Sequence, residues 1–350
     1  MNKEKQIWLV PEYFKRFKCK CSECRHVCCS GWKIDISQKE FNNLTKLNCS
    51  KKLHQRIDQA LEMVDFPTQE RFRRISPNWL NLCPILDDQG LCMLHKQMGE
   101  EYLPTICKVY PRRYISNNGL LKASCTSSCE AVVELLINEE KIHFVYEERE
   151  ANANLKISSA SDSIEINTKA ISILQNRDKP VNERLVEVCS FLGKKDYFVS
   201  KDMLANALQE LLRVMNKLSF LSPELEESKD FLSQKINESK DFVKEYLDDL
   251  IIFQTNYPHE SRWLENILVN HIFYYDLPGV DKRLNNEDCV AGLCLVYALI
   301  RLILVIRTKD NPTQDQFVDL LTGLLRFVEH TSFYYNAFVL IKEPIILLSL

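Results

Sequence analysis

The chain has 350 residues, with 45 basic against 48 acidic side chains and a formal net charge of −3. That balance lacks the electrostatic footprint of a nucleic-acid binder or of a protein that sits on an anionic membrane. With 45% hydrophobic and 27% charged residues, the composition is that of a soluble globular protein long enough for two domains.

The start is polar and leads straight into Ile7-Trp8-Leu9-Val10-Pro11. It lacks the charged-then-apolar order of a signal peptide, so a cytoplasmic location is expected. Trp8, Val10, Tyr13, Phe14 and Phe17 make an apolar lead-in. Then Cys19-Lys20-Cys21-Ser22-Glu23-Cys24-Arg25-His26-Val27-Cys28-Cys29 places five of the fourteen cysteines in eleven residues. Residues 33–37 alternate like a short strand. Ser37 with Glu40 is a capping box, followed by the stripe Phe41, Leu44 and Leu47. A second amphipathic helix is expected over 53–64, with Leu53, Ile57, Leu61 and Val64 on one face and Pro67 beyond its end.

Asp87-Asp88-Gln89-Gly90 between apolar flanks predicts a tight turn that brings Cys83 towards Cys92. A short helix is expected from His95 to about Leu103. Asn117-Asn118-Gly119 reads as a hairpin turn, and Cys129 opens a helix through Ile137. Residues 150–163 are small and polar, which puts a domain boundary there: 1–150 cysteine-rich, 151–350 helical. Beyond it Leu204, Leu208, Leu211, Leu212, Met215 and Leu218 share one helix face, as do Leu264, Ile267, Leu268 and Ile272. The apolar run from Cys289 to Ile306 is interrupted by Arg301 and reads as a buried helix rather than a membrane span. The expected fold is mainly α, a cysteine-rich region with short extended segments followed by an irregular helical bundle.

Only eight glycines occur, none of them paired as Gly-x-Gly, so no glycine-rich nucleotide loop exists. The cysteines carry the chemistry. In a reducing compartment, clustered thiols point to metal or redox work. One Cys-x-x-Cys knuckle exists, Cys21 to Cys24, without the second that a zinc ribbon needs. Adjacent Cys28 and Cys29 point to opposite sides of extended backbone. An iron–sulfur cluster accepts ligands from scattered loops, and Cys83, Cys92 and Cys107 are available to complete the shell; zinc is the alternative. The Cys-x-x-x-Cys-x-x-Cys pattern of radical enzymes fails, because Gly31 or Val132 stands at the third position. Cys49, Cys189, Cys289 and Cys294 read as small buried hydrophobes. His26 lies inside the knot, as a ligand, as a hydrogen-bond donor to sulfur or as a simply exposed side chain. Tyr110-Pro111-Arg112-Arg113 reads either as cations that grip a carboxylate or as a solvated basic loop. Glu100-Glu101 and Asp87-Asp88 are acidic pairs near the cysteines, for a base or for a solvated surface.

Taken together, these residues resemble the flagellin lysine-N-methylases of bacteria. The resemblance rests on Pro11-x-Tyr13, Phe17-Lys18-Cys19 and Cys24-x-x-x-Cys28-Cys29-x-Gly31-Trp32. It continues through Asn81-Leu82-Cys83-Pro84-x-Leu86-Asp87, Gly90-Leu91-Cys92, Gly99-Glu100-x-Tyr102-Leu103-Pro104, Cys107-x-x-Tyr110-Pro111-Arg112 and Ser128-Cys129-Glu130-Ala131. Leu174-Gln175-x-Arg177, Glu183-Arg184-Leu185 and Glu265-x-x-Leu268-x-Asn270 extend it more weakly. Glu130 stands where the family usually has proline. The Cys-x-x-x-Cys-Cys core is shared with a broader group of small zinc- or iron-chelating domains.

The resemblance implies a protein-lysine methyltransferase that moves a methyl group from S-adenosylmethionine to surface lysines of flagellin and carries an iron–sulfur cluster. Matched by motif, the metal-binding cysteines are Cys19, Cys24, Cys28, Cys29, Cys83, Cys92, Cys107 and Cys129. These eight exceed the four that one 4Fe-4S cluster takes from cysteine, so a second centre or structural thiols are implied. Glu100 is the expected base for the lysine amine, with Arg112 and Tyr110 at the S-adenosylmethionine. No nucleic acid and no membrane are expected as partners. The alternative is a metal-stabilised scaffold or a metal-handling protein without catalysis.

Overall fold

The computed structural model describes residues 5–117, 120–150, 157–160, 164–218, 223–277, 284–308, 311–331 and 333–350. In chain order the strands are β1 Lys5–Pro11, β2 Ile34–Ile36, β3 Leu61–Met63, β4 Arg73–Ile75, β5 Arg112–Asn117, β6 Leu120–Cys125, β7 Phe144–Glu150 and β8 Ile157–Ala160. Two compact units emerge: Met1–Phe17 with Arg112–Leu350, and Lys18–Pro111. The division therefore falls elsewhere than between 150 and 151. The reason is pairing, since β1 hydrogen-bonds to both β6 and β7 and stitches the N-terminus into the later chain. Of the expected boundary segment, 151–156 and 161–163 lie outside the described residues, as do Asn118 and Gly119 of the expected hairpin turn.

The larger unit holds a mixed sheet in the order β7-β1-β6-β5-β8. This sheet was not expected from the sequence. β6, Leu-Leu-Lys-Ala-Ser-Cys, is almost wholly buried, so it lacks the alternation that marks a half-exposed strand. Trp8 packs edge-on against Tyr114, with ring centroids 5.5 Å apart. The rest of the unit is helical, as predicted. The helix Leu204–Met215 buries Leu204, Leu208, Leu211 and Met215, and Glu260–Tyr275 buries Leu264, Ile267, Leu268 and Ile272.

The longest helix, Asn286–Arg307, starts at a capping box of Asn285 and Asp288. It is long and apolar enough to cross a membrane, yet its most apolar stretch is entirely buried within the protein. Arg301 is tolerated there because its guanidinium meets Glu260 at 2.5 Å. A second buried network joins the three weak motifs. Glu265 receives Arg184 at 2.5 Å and Arg177 at 3.0–3.3 Å, so its buried carboxylate is held by two guanidiniums. Cys189, Cys289 and Cys294 are fully buried, as expected of core thiols; Cys49, in the smaller unit, is only partly buried.

The smaller unit is built on the sheet β2-β4-β3. Ser37 caps the helix Gln38–Thr45 reciprocally with Glu40, as the capping box predicts. The next helix, Lys51–Ala60, ends four residues short of the expected Val64. Ser76 N–H donates to Ala60 O at 2.9 Å, and Leu61 pairs with Ile75 in β3–β4. Sheet pairing thus takes backbone groups that a longer helix would use. The helix expected from His95 runs Met93–Met98 instead and stops at Gly99, whose φ of +100° a helix cannot continue. A single 3-10 turn, Glu100–Tyr102, follows.

Candidate functional site

Three loops of the smaller unit carry the thiols. The segment of Cys28 and Cys29 is fastened to that of Cys83: Cys83 N–H donates to Cys29 O at 2.7 Å, and Gly31 N–H to Asn81 O at 3.0 Å. Gly31 and Asn81 adopt φ of +83° and +62°, which lets both backbones turn at the junction. Trp32 Nε1 donates to Cys28 O at 2.8 Å. Between Cys83 and Cys92 the predicted turn forms, with Gly90 N–H on Asp87 O at 3.0 Å and an antiparallel bridge between Leu86 and Cys92. Asp87 is occupied in holding it, for its carboxylate accepts Gln89 N–H and Leu91 N–H at 2.9 Å each and Lys96 at 3.2 Å. Cys107 rides on the short helix Thr105–Val109. Glu40 reaches from its capping box to Thr105 N–H at 2.7 Å and ties that helix down. Burial pushes the Glu40 carboxyl up, but the Thr105 and Ser37 donors outweigh it and hold the group below its ordinary value.

The thiols sense one another. Burial, resisted by Ile85 N–H and reinforced by Cys92 and Cys28, pushes the Cys83 thiol up to about 11. Burial also raises Cys107, with Cys83, Cys92 and Cys28 adding to it. Cys29 rises by sharing a hydrogen bond with Cys28, by burial, and by the presence of Cys83 and Cys107. Burial raises Cys92, again with Cys28 nearby. Cys28, Cys29, Cys83, Cys92 and Cys107 are therefore one cluster from three loops. Cys28 Sγ and Cys29 Sγ are 4.0 Å apart, close to the ~3.8 Å between two thiolates on one tetrahedral zinc. Among the described residues no three His, Cys, Asp or Glu side chains converge into ligating geometry as they stand. The donor chemistry nonetheless fits a soft, highly charged centre, since each ionised thiol destabilises its neighbours and a bound cation relieves that repulsion.

The other expected ligands are placed differently. Cys19 and Cys21 pair at 3.9 Å, and Cys21 is raised first by Cys19 and more weakly by Cys28. Cys21, which the motif match leaves out, thus stands nearer the cluster than sequence reasoning placed it. Cys24 ends the 3-10 turn Cys21–Glu23. Cys129 belongs to the larger unit, where it N-caps the helix Glu130–Asn138. Its neighbour Cys125 is buried and raised by that burial, with Cys129 adding to the shift. Tyr110 packs against Trp32 at 5.7 Å and is joined to Pro111 by a cis peptide bond. The Arg112 guanidinium lies 4.8 Å over the Phe17 ring. Glu100 is exposed at the head of its 3-10 turn. Of the aromatic residues around the motifs, Trp79 is 89% exposed.

A second polar constellation, in the larger unit, was not foreseen. The segment 125–128 is buried although it reads Cys-Thr-Ser-Ser. Asn270 Nδ2 donates to Cys125 O at 3.1 Å and to Ser127 Oγ at 2.8 Å, and Tyr13 hydrogen-bonds to Asn270. Glu329 Oε2 accepts Ser128 N–H at 2.9 Å and the Thr126 hydroxyl. His330 Nε2 lies 2.9 Å from Ser128 Oγ, and Arg326 Nε donates to Ser128 O at 3.0 Å. The motifs at Ser128 and Asn270 were the only sequence signal; Glu329 and His330 belong to no motif.

A conserved-domain relationship accounts for the helical part of this architecture. The chain belongs to the FliB lysine N-methylase family, whose C-terminal domain model matches residues 167–343, half of the chain. A lysine-N-methylase of Salmonella typhimurium is 29% identical over 131 residues, 37% of this chain and 32% of that protein. A lysine-N-methylase of Salmonella choleraesuis is 26% identical over 137 residues, with the same coverage of 37% and 32%. The flagellar biosynthetic protein FliU of Salmonella muenchen is 28% identical over 131 residues, 37% of this chain and 76% of that protein. The match thus spans about a third of the two lysine-N-methylases. No solved structure is significantly similar to the chain.

Proposed function

We propose that the protein is a protein-lysine N-methyltransferase that moves a methyl group from S-adenosylmethionine to surface lysines of flagellin in the cytoplasm. Membership of the FliB family supports the lysine-methylase activity, and the name of its relative FliU supports a flagellar protein as substrate. The observation that carries a metal centre is the cluster of Cys28, Cys29, Cys83, Cys92 and Cys107, the last four of them raised by burial or by their neighbours. These residues would hold an iron–sulfur cluster, with Cys19, Cys21 and Cys24 on the adjoining segment; Cys129, in the larger unit, remains a proposed ligand. Bound there, an iron–sulfur cluster would supply an iron that accepts electron pairs from the amino-acid end of the methyl donor. Arg112 and Tyr110 remain the proposed donor-binding residues and Glu100 a proposed base.

An amine must lose a proton before it attacks a methyl sulfonium, so the protein has to supply a carboxylate or a desolvated pocket. The test is protein purified without oxygen, assayed for iron, sulfide and zinc and then for methyl transfer to purified flagellin. Iron and sulfide in equal amounts with methylated flagellin support the proposal. Stoichiometric zinc without transfer replaces it by the metal-stabilised scaffold.

A further inference from the structure

The constellation around Glu329 holds a buried charge whose second oxygen is bare. Glu329 sits in the last turn of the helix Gln314–His330, and its side chain is 2% exposed. Oε2 is used by Ser128 N–H and Thr126, while Oε1 has no hydrogen-bond partner. Among the described residues the basic group within ion-pair reach of that oxygen is His271 Nδ1, at 3.9 Å. Arg326, one turn earlier, spends its Nε on Ser128 O. The phenols of Tyr13 and Tyr274 both sense the Glu329 charge. An ionised carboxylate so enclosed is costly unless a donor, and preferably a positive one, meets the bare oxygen.

We propose that Glu329 Oε1 is the docking and proton-accepting point for a primary ammonium, the side-chain amine of a lysine. An ammonium brings both an N–H donor and the missing charge. A divalent metal ion would need more oxygen or nitrogen ligands than Glu329 and His271 provide. Arg326 and His330, which both hydrogen-bond to Ser128, are only half-buried, so the constellation borders the surface on that side. The inference rests on the proposed methyl transfer and gives the role of base to Glu329 in place of Glu100. Glu329 takes one proton from the ammonium and becomes a neutral acid. The freed nitrogen lone pair forms a bond to the methyl carbon of the sulfonium donor while the carbon–sulfur bond breaks. Its electron pair stays on sulfur, which leaves as a neutral thioether, and Glu329 returns its proton to solvent when the methylated ammonium departs.

The test uses the full chain and n-butylammonium, a mimic of the lysine side chain. Titration calorimetry compares wild type, Glu329→Gln and the exposed-carboxylate control Glu227→Gln, with thermal melts to check folding. Saturable binding in wild type and Glu227→Gln, weakened at least tenfold in Glu329→Gln, is expected. Methyl transfer to flagellin is expected to fall at least 100-fold in kcat in Glu329→Gln. Should Glu329→Gln fail to fold, wild type labelled in its histidine rings settles the matter, because butylammonium must then shift the His271 resonance. No binding by wild type, or unaltered binding and kcat in folded Glu329→Gln, overturns the proposal. Binding that depends on Glu329 in a protein that methylates nothing keeps the ammonium site and overturns the methyltransferase reading instead.

Discussion

Cys83 donates its backbone N–H to the carbonyl of Cys29 at 2.7 Å, which joins two cysteine segments 54 residues apart in sequence. The bond leaves both thiols in a group where Cys28, Cys92 and Cys107 also stand. A centre held by this group loses affinity when either thiol is removed. Cys29→Ser and Cys83→Ser are expected to purify with less than a third of the wild-type iron or zinc, whereas Cys49→Ser keeps it. Elemental analysis of protein made without oxygen measures this.

The turn between Cys83 and Cys92 depends on Gly90, whose φ is +76° with open space where a Cβ would point. Gly90→Ala therefore meets conformational strain without a clash. It is expected to cost about 1 kcal/mol and to lower metal content in parallel, because Cys92 follows the turn. Urea unfolding with metal analysis on the same preparations checks both.

Glu265 is buried between Arg177 and Arg184. Removal of Glu265 strands Arg184 in the core, whereas removal of Arg184 leaves Glu265 paired with Arg177. Glu265→Gln is expected to destabilise the fold by about 3–5 kcal/mol and Arg184→Met by less. The double variant Arg184→Met/Glu265→Gln is expected to lose less than the sum of its parts. Chemical unfolding of the four proteins gives the coupling directly.

Burial, with the Arg326 charge beside it, lowers the His330 imidazole from 6.5 to about 4. Its folded value lies below its unfolded value, so the unfolded chain binds more protons between the two. The stability His330 lends is complete above about pH 6.5 and declines as pH falls towards 4. The decline from this group is expected to total roughly 3 kcal/mol at most. Thermal melts from pH 7.5 to 4 are expected to be flatter for His330→Gln than for wild type across that window.

The sequence by itself determined the local features: the Ser37–Glu40 capping box, the Asp87–Gly90 turn, the helix that starts at Cys129, the buried nature of the 286–307 helix and the family motifs. Each depends on residues within a turn or two of one another, where capping, glycine conformation and apolar period act directly. Tertiary structure decided what distant partners impose. β6 and β1 pair across more than a hundred residues, and Lys51–Ala60 ends where Ser76 takes its last carbonyl. The thiols of Cys28, Cys29, Cys83, Cys92 and Cys107 gather within the smaller unit, and Cys125 and Cys129 meet within the larger one, only after folding. Glu329 shows the limit most plainly. It lies 201 residues from Ser128, in a helix whose apolar stripe says nothing of it. Its meaning comes from burial and from one oxygen left without a donor, and neither is a property of sequence.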